Sequence, residues 1–230
     1  MNGARPAPVI AIDGPSGTGK GTIARLLKTW LGWHLLDSGA LYRVLGLSAT
    51  SQGMALDDVA AVAAAARELP VEFVEGKSAT QVLLRGADVT DAIRTEACGT
   101  LASQVAAHAA VRDALLERQR AFRRLPGLVA DGRDMGTVVF PDAELKIYLT
   151  ASAEERAARR YKQLIGKEKG VNLAQLLGDI TERDRRDTER AVAPLKPATD
   201  AIILDTTRCD IRTVEERVRQ WVRDTGLART

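Results

Sequence analysis

The apolar run Val9-Ile10-Ala11-Ile12 passes directly into Asp13-Gly14-Pro15-Ser16-Gly17-Thr18-Gly19-Lys20-Gly21-Thr22, and a helical pattern follows from Ile23 to Leu31. A buried strand that ends in a glycine-rich loop and opens a helix gathers backbone N–H groups at a helix N-terminus. The helix dipole favours an anion there, and Lys20 can reach outer phosphates. The spacing predicts a P-loop, a cradle for a nucleoside triphosphate lined by Gly14, Pro15, Ser16, Gly17, Thr18, Gly19, Lys20, Gly21 and Thr22, with Lys20 on a surface loop. A glycine-rich turn with an incidental lysine would account for the glycines but not for the strand before them or the helix after. The hydroxyl usual directly after the lysine comes one place later, at Thr22, since Gly21 follows Lys20.

Further strand-like runs at Trp33 to Leu36, Leu128 to Ala130, Leu145 to Leu149 and Ala201 to Leu204 alternate with helical stretches. That order predicts an α/β fold, a P-loop NTPase core whose parallel sheet is flanked by helices. Helices are expected over Ser38 to Gln52 with Ser38 as N-cap, Ala55 to Glu68, Thr95 to Ala107, Ala109 to Arg124, Ala153 to Leu164 and Leu173 to Glu189. Between Pro70 and Arg94 the alternation breaks into a hairpin pattern, Val71 to Val74 and Gln81 to Leu84, expected to form a small β-containing lobe. Gly166-Lys167-Glu168-Lys169-Gly170 has glycines at both ends and charge between them, and is expected to act as a mobile flap.

With 230 residues, 45% hydrophobic and 27% charged, the chain can bury a full core as one domain. Apolar runs fall short of the roughly 18 residues a membrane span needs, and Met1 to Pro8 lacks the apolar core of a signal peptide, so the expected location is cytoplasmic. Cys98 and Cys209 form no metal-ligand pattern and are expected as buried thiols. The net charge of +3 comes from arginines interleaved with acids, as in Glu182-Arg183-Asp184-Arg185-Arg186-Asp187, and aromatic residues are only 4%. This distribution favours a small anionic ligand over nucleic acid.

Three constellations carry further chemistry. Leu35-Leu36-Asp37-Ser38-Gly39-Ala40-Leu41-Tyr42-Arg43 ends a strand and opens a helix, where ligands of open parallel sheets bind. Leu128-Val129-Ala130-Asp131-Gly132-Arg133-Asp134 ends a strand in an aspartate, the acidic partner of a P-loop that orients Mg²⁺ or its waters, followed by a phosphate fork and an acceptor. Arg156, Arg159 and Arg160 share one helix face by spacing, as do Arg183, Asp187 and Arg190. A solvated face of ion pairs would explain either trio, yet a triphosphate meeting a second phosphate needs more counter-charge than Lys20 and one Mg²⁺ provide. His34 and His108 lie in no catalytic pattern, and an acceptor phosphate is already anionic, so no strong general base is required.

Taken together these segments resemble the bacterial cytidylate kinase family over nearly the whole chain. The resemblance is carried by Ile12 to Gly17 with Gly19-Lys20-Gly21-Thr22, an ending typical of nucleoside monophosphate kinases, by Leu36 to Ala40 with Tyr42-Arg43, and by Ala102-Ser103-Gln104-Val105-Ala106. Arg118-Gln119-Arg120, Ala130 to Pro141, Glu154-Glu155-Arg156 and Arg190 to Leu195 complete it. It implies transfer of a phosphoryl group from ATP, with Mg²⁺, to CMP or dCMP, giving ADP and CDP or dCDP. It implies that Ser38, Arg112 and Asp134 read the base and Ser103, Arg183 and Asp187 the sugar, while Arg43, Arg133 and Arg190 hold the acceptor phosphate. Lys20, Arg133 and Arg190 are expected to be catalytic, as are Arg156 and Arg159 of the lid, with the arginine that touches the transferring group left open among Arg156, Arg159 and Arg160. Thr22 and Asp131 are the expected Mg²⁺ ligands. The family organisation implies a single monomeric domain over 1–230, with a monophosphate-binding insert at about 55–98 and a lid at about 156–173. A kinase for UMP, AMP or a non-nucleotide acceptor is the alternative chemistry, and a regulatory or RNA-binding P-loop protein the alternative class.

Overall fold

The computed structural model describes residues 6–76, 80–166 and 170–228. In chain order its elements are β1 (Val9–Asp13), α1 (Lys20–Leu31), β2 (His34–Asp37), α2 (Ser38–Ser51), α3 (Val59–Arg67), β3 (Val71–Glu75), β4 (Thr80–Leu84) and β5 (Ala87–Asp88). They continue with α4 (Glu96–Val105), α5 (Ala109–Arg120), β6 (Leu128–Gly132), β7 (Leu145–Thr150), α6 (Ala153–Leu164), α7 (Leu173–Glu189), β8 (Ile202–Asp205) and α8 (Ile211–Asp224). A π-helical turn, Met135–Val139, follows β6. The chain divides into two compact units, one formed by residues up to Asp37 with those from Arg120 onward, the other spanning Ser38–Gln119.

The first unit holds a parallel sheet in the order β2-β6-β1-β7-β8, flanked by helices. Every residue of β1 is buried, as expected of a central parallel strand that reads as a continuous apolar run. Ile23, Ala24 and Leu27 of α1 and Val214, Val218 and Val222 of α8 pack with Ile10, Ile12, Val129, Leu145 and Ile147 of the sheet. Each such valine, leucine or isoleucine contributes about 1.5–3 kcal/mol when fully buried. A smaller cluster, Ala157, Leu164, Leu176 and Ile180, joins α6 to α7.

The second unit contains α2 to α5 and an antiparallel sheet in the order β3-β4-β5. Residues 77–79 of the hairpin connection and residues 167–169 of the expected flap lie outside the described residues.

Several boundaries differ from the sequence reading. α3 starts at Val59, not Ala55, because the Asp58 carboxylate accepts the Ala61 N–H at 3.0 Å and caps the helix there. α2 takes in Ser38 as its first residue instead of using it as a cap. α5 stops at Arg120, short of Arg124. The short β5, the helix α8 and the π-helical turn after β6 had not been anticipated. Helix α8 is capped by the Asp210 carboxylate, which accepts the Thr213 N–H at 2.7 Å, and buries a stripe of Val214, Val218 and Val222.

Candidate active site

The chain leaves the end of β1 through Gly14, whose φ of +145° places any added Cβ only 2.0 Å from the Leu149 carbonyl oxygen, so no other residue fits. The loop then closes around the Pro15 carbonyl, which accepts from Thr18 Oγ1 and from Lys20 Nζ, both at 3.1 Å. Thr206, the residue after β8, braces the loop, its Oγ1 donating toward the Thr18 carbonyl at 3.2 Å. Lys20 is buried at 8% exposure, whereas the sequence reading had placed it on a surface loop. It begins α1, and the amphipathic helix behind it turns its stem inward.

Burial changes what Lys20 can do. Loss of hydration, then repulsion from Arg133 and Arg183, pulls its ammonium down to about 7, with Asp131 and Asp37 acting in the other direction. Asp131 arrives through strand register, since Ile12 of β1 sits opposite it on β6. Its carboxylate is close to the first turn of α1: a Cβ on Gly21 would lie 3.0 Å from Oδ2. Burial pushes Asp131 up to about 6, Lys20 lowers it and Asp37 raises it again.

Beyond β6, Arg133 Nε donates to Asp187 Oδ2 at 3.0 Å and its NH1 to the Gly132 carbonyl at 3.2 Å. Burial works against both charges. Arg133 nonetheless stays above its usual range beside Asp187 and Asp131, and Asp187 stays below the usual carboxylate range among Arg133, Arg183 and Arg190. Asp134 is 2% exposed. Arg190 lies just past the C-terminus of α7 and not on its face as the spacing had suggested. Its Nε donates to the Ala193 carbonyl at 2.6 Å, in a loop where Ala193 takes a left-handed φ of 49°. Such a conformation is costly for alanine and persists where surrounding contacts hold it.

The three arginines of α6 go to different partners. Arg156 is buried, donating to the Ala151 carbonyl at 3.0 Å and the Ser16 carbonyl of the P-loop at 3.2 Å, and forming a bidentate pair with Asp184 of α7. Arg159 donates to Glu155 at 2.9 Å and to the Thr206 carbonyl at 2.5 Å. Arg160 donates to Gln163 Oε1 at 3.1 Å. The structure therefore joins Lys20, Asp131, Arg133, Asp134, Arg156, Arg183, Asp187 and Arg190 within the first unit, around the C-terminal ends of β1 and β6 and the elements packed on them, while Thr22, in the first turn of α1, is exposed and accepts from Arg25 at 3.4 Å.

Ser38, Arg43, Ser103 and Arg112 belong to the second unit. Ser38, Ser103 and Arg112 are buried. The Arg112 guanidinium lies 5.5 Å from the Tyr42 ring centroid and donates to the Ala106 carbonyl at 3.3 Å. Arg43 donates to the carbonyls of Ile93 and Thr95 at 2.8 and 3.1 Å.

Three residues with evident work at the site had been given no role from sequence. Asp184 holds Arg156, and Thr206 braces the P-loop. Asp13 accepts the N–H groups of Met135 and Gly136, each at 2.8 Å. Burial pushes the Asp13 carboxyl up to about 7 against these two bonds, which favour the anion. Asp13 could have been singled out by its place immediately before the loop, and Asp184 by its place in the run of acids and arginines from Glu182 to Asp187; nothing in the pattern marked Thr206.

The described residues contain no helix long and apolar enough to cross a membrane. The model of the cytidylate kinase family matches residues 10–224. A cytidylate kinase of Pseudomonas aeruginosa (strain UCBPP-PA14) is 61% identical over 220 residues, 95% of each chain. One of Stutzerimonas stutzeri (strain A1501) is 59% identical over 226 residues, 97% of this chain and 99% of that one. Among solved structures, shikimate kinase from Acinetobacter baumannii in complex with shikimate aligns over 95% of this chain and 94% of its own at 17% identity, with a TM-score of 0.41. With its P-loop, its strand-end aspartate and a family match that runs through both units, the chain belongs to the cytidylate kinase family.

Proposed function

We infer that the protein is a nucleoside monophosphate kinase that transfers a phosphoryl group from ATP to CMP or dCMP, giving ADP and CDP or dCDP. The observation that carries this reading is the family match over residues 10–224. The P-loop amides and Lys20 bind the triphosphate, and an anionic phosphate entering beside Lys20 returns the proton that burial has loosened. Arg133 and Arg190 then offset charge on the acceptor side, with Arg43 as the third phosphate ligand. Ser38, Arg112 and Asp134 read the base; Ser103, Arg183 and Asp187 hold the sugar. Asp134 favours cytosine because a carboxylate accepts from its amino group and opposes the carbonyl of uracil. Arg156 and Arg159 supply charge from the lid.

The donors available for a divalent cation are the Thr22 hydroxyl and the Asp131 carboxylate, beside the P-loop lysine. Hard oxygen donors of this kind suit Mg²⁺, which is held by one or two carboxylates plus substrate phosphates and keeps several waters. When bound, Mg²⁺ neutralises charge building on the phosphate oxygens. The protein acts as a cytoplasmic monomer, a single domain over 1–230 with an insert at about 55–98 and a lid at about 156–173, and its partners are small nucleotides.

The test is a coupled assay of ADP formation with CMP, dCMP, UMP and AMP as acceptors. Turnover with CMP and dCMP well above that with UMP and AMP is expected. Equal use of UMP or AMP would overturn the cytosine assignment.

A further inference from the structure

We propose that Asp13 is a positioning residue for phosphoryl transfer, tying the entrance of the P-loop to the turn that carries Arg133 and Asp134. Its two oxygens are used separately: Oδ1 accepts the Met135 N–H and Oδ2 the Gly136 N–H, each at 2.8 Å. The side chain is 4% exposed, so solvent scarcely competes, and because each oxygen accepts an amide N–H the arrangement favours the anion against the burial that raises this carboxyl.

The two ends of this clamp are unequally held. Asp13 ends a strand paired on both sides, opposite Gly132 of β6 and Tyr148 of β7, so the P-loop entrance is anchored without the carboxylate. The turn at the other end is irregular. The N–H groups of Val138 and Val139 both bond to the Asp134 carbonyl, and that of Phe140 to the Met135 carbonyl, in a single π-helical turn. An isolated turn of this kind has little stability of its own. Asp13 thus sets where Asp134, the residue immediately before the clamped amides, and Arg133 stand relative to the loop that delivers the phosphoryl group. Loss of the clamp should harm the acceptor nucleotide and leave ATP binding nearly unchanged. The inference rests on the acceptor roles proposed for Arg133 and Asp134.

Asp13→Asn keeps the size of the side chain but turns one oxygen into an NH₂ facing an amide N–H. The expected result is a folded protein whose KM for CMP rises about tenfold or more while its KM for ATP stays within about threefold, the scale of one lost buried hydrogen bond. Two KM values that both stay near wild type, or that rise by the same factor, would overturn the proposal, the latter marking general loosening. If D13N is recovered only as aggregate, a backbone amide-to-ester replacement at residue 136 removes a single donor without touching a side chain, and the same two constants decide by the same criteria. Arg133→Ala and Asp134→Asn are measured alongside. A rise in KM for CMP in these controls but not in D13N refutes the clamp, and wild-type constants in both controls refute the acceptor roles and the clamp with them.

Discussion

Two regions of the first unit are both dense in acids and bases and behave in opposite ways. At the strand ends, Asp13, Lys20, Asp131 and Asp134 are all less than a tenth exposed. On the outer face of α7, Glu182, Arg185 and Glu189 are more than half exposed, and Arg185 pairs with both acids at i,i+3 and i,i+4. Removing a charge from water costs several kcal/mol unless partners compensate. The strand-end groups show this as carboxyls raised to about 6 and 7 and an ammonium lowered to about 7. On α7, exposed pairs in high dielectric add little to stability. A charge cluster that is costly to maintain beside a P-loop is what the proposed phosphoryl transfer calls for, whereas the exposed one on α7 solvates a helix.

The comparison breaks first at Lys20. Lys20→Ala should lower kcat by about 10²–10³-fold or more, the scale of removing a preorganised group from a transferring phosphate, while the melting curve shows a folded protein. Near-wild-type turnover would mean that the buried cluster is not the reaction centre.

Asp184→Asn comes next. Arg156 would remain buried with two carbonyl partners and no counter-ion, so a loss of about 2–3 kcal/mol in denaturant unfolding is expected, somewhat below the usual range for a broken buried pair because Asp184 is partly exposed.

Asp134→Asn should narrow the preference for CMP over UMP by about 1–3 kcal/mol in relative kcat/KM. A variant that keeps the full preference would transfer base reading to Ser38 and Arg112.

A subtler signature lies in protons. With Lys20 near 7 in the free protein, the amine is mostly neutral at pH 8, and a bound triphosphate should restore its charge. ATP binding should therefore take up close to about one proton at pH 8 and little at pH 6, where the lysine already holds it. The same depression gives the folded state a penalty that is full below pH 7 and lifts as pH rises from about 7 toward the ordinary lysine value of 10.5. Calorimetry in buffers of different ionisation enthalpy, with Lys20→Met as reference, measures the uptake; equal uptake by both proteins would remove Lys20 from the account.

At the small end, Arg185→Ala on the outer face of α7 should leave both turnover and melting temperature unchanged. A clear loss in either would mean that the exposed face has a role that its solvation conceals.

Much of this architecture was legible from residue order. The five parallel strands were all visible as apolar runs, the central β1, β6 and β7 because a strand covered on both faces reads as continuous hydrophobicity, while the edge strands β2 and β8 are short apolar runs with only one buried residue each; the P-loop was visible because its glycines, lysine and flanking elements fall at fixed spacing. α8 was passed over although its stripe of valines is regular, and β5 is too short to show a period. The arginines mark where local reading stops. Helical spacing placed Arg156, Arg159 and Arg160 on one face, yet Arg156 turns to Asp184 and the P-loop, Arg159 to Thr206, and Arg160 to Gln163.

The sequence by itself determined the nucleotide cradle, the parallel sheet and, through family resemblance, the acceptor, since these depend on patterns within short stretches of chain. Only the tertiary structure decided which charges are buried. Lys20 is pulled down by packing and by Arg133, which is 113 positions away in the chain, and Asp13 meets the Met135 and Gly136 amides because β1 and β6 lie side by side. Desolvation and long-range pairing are properties of what surrounds a group in space, and the spacing of residues along a chain does not encode them directly.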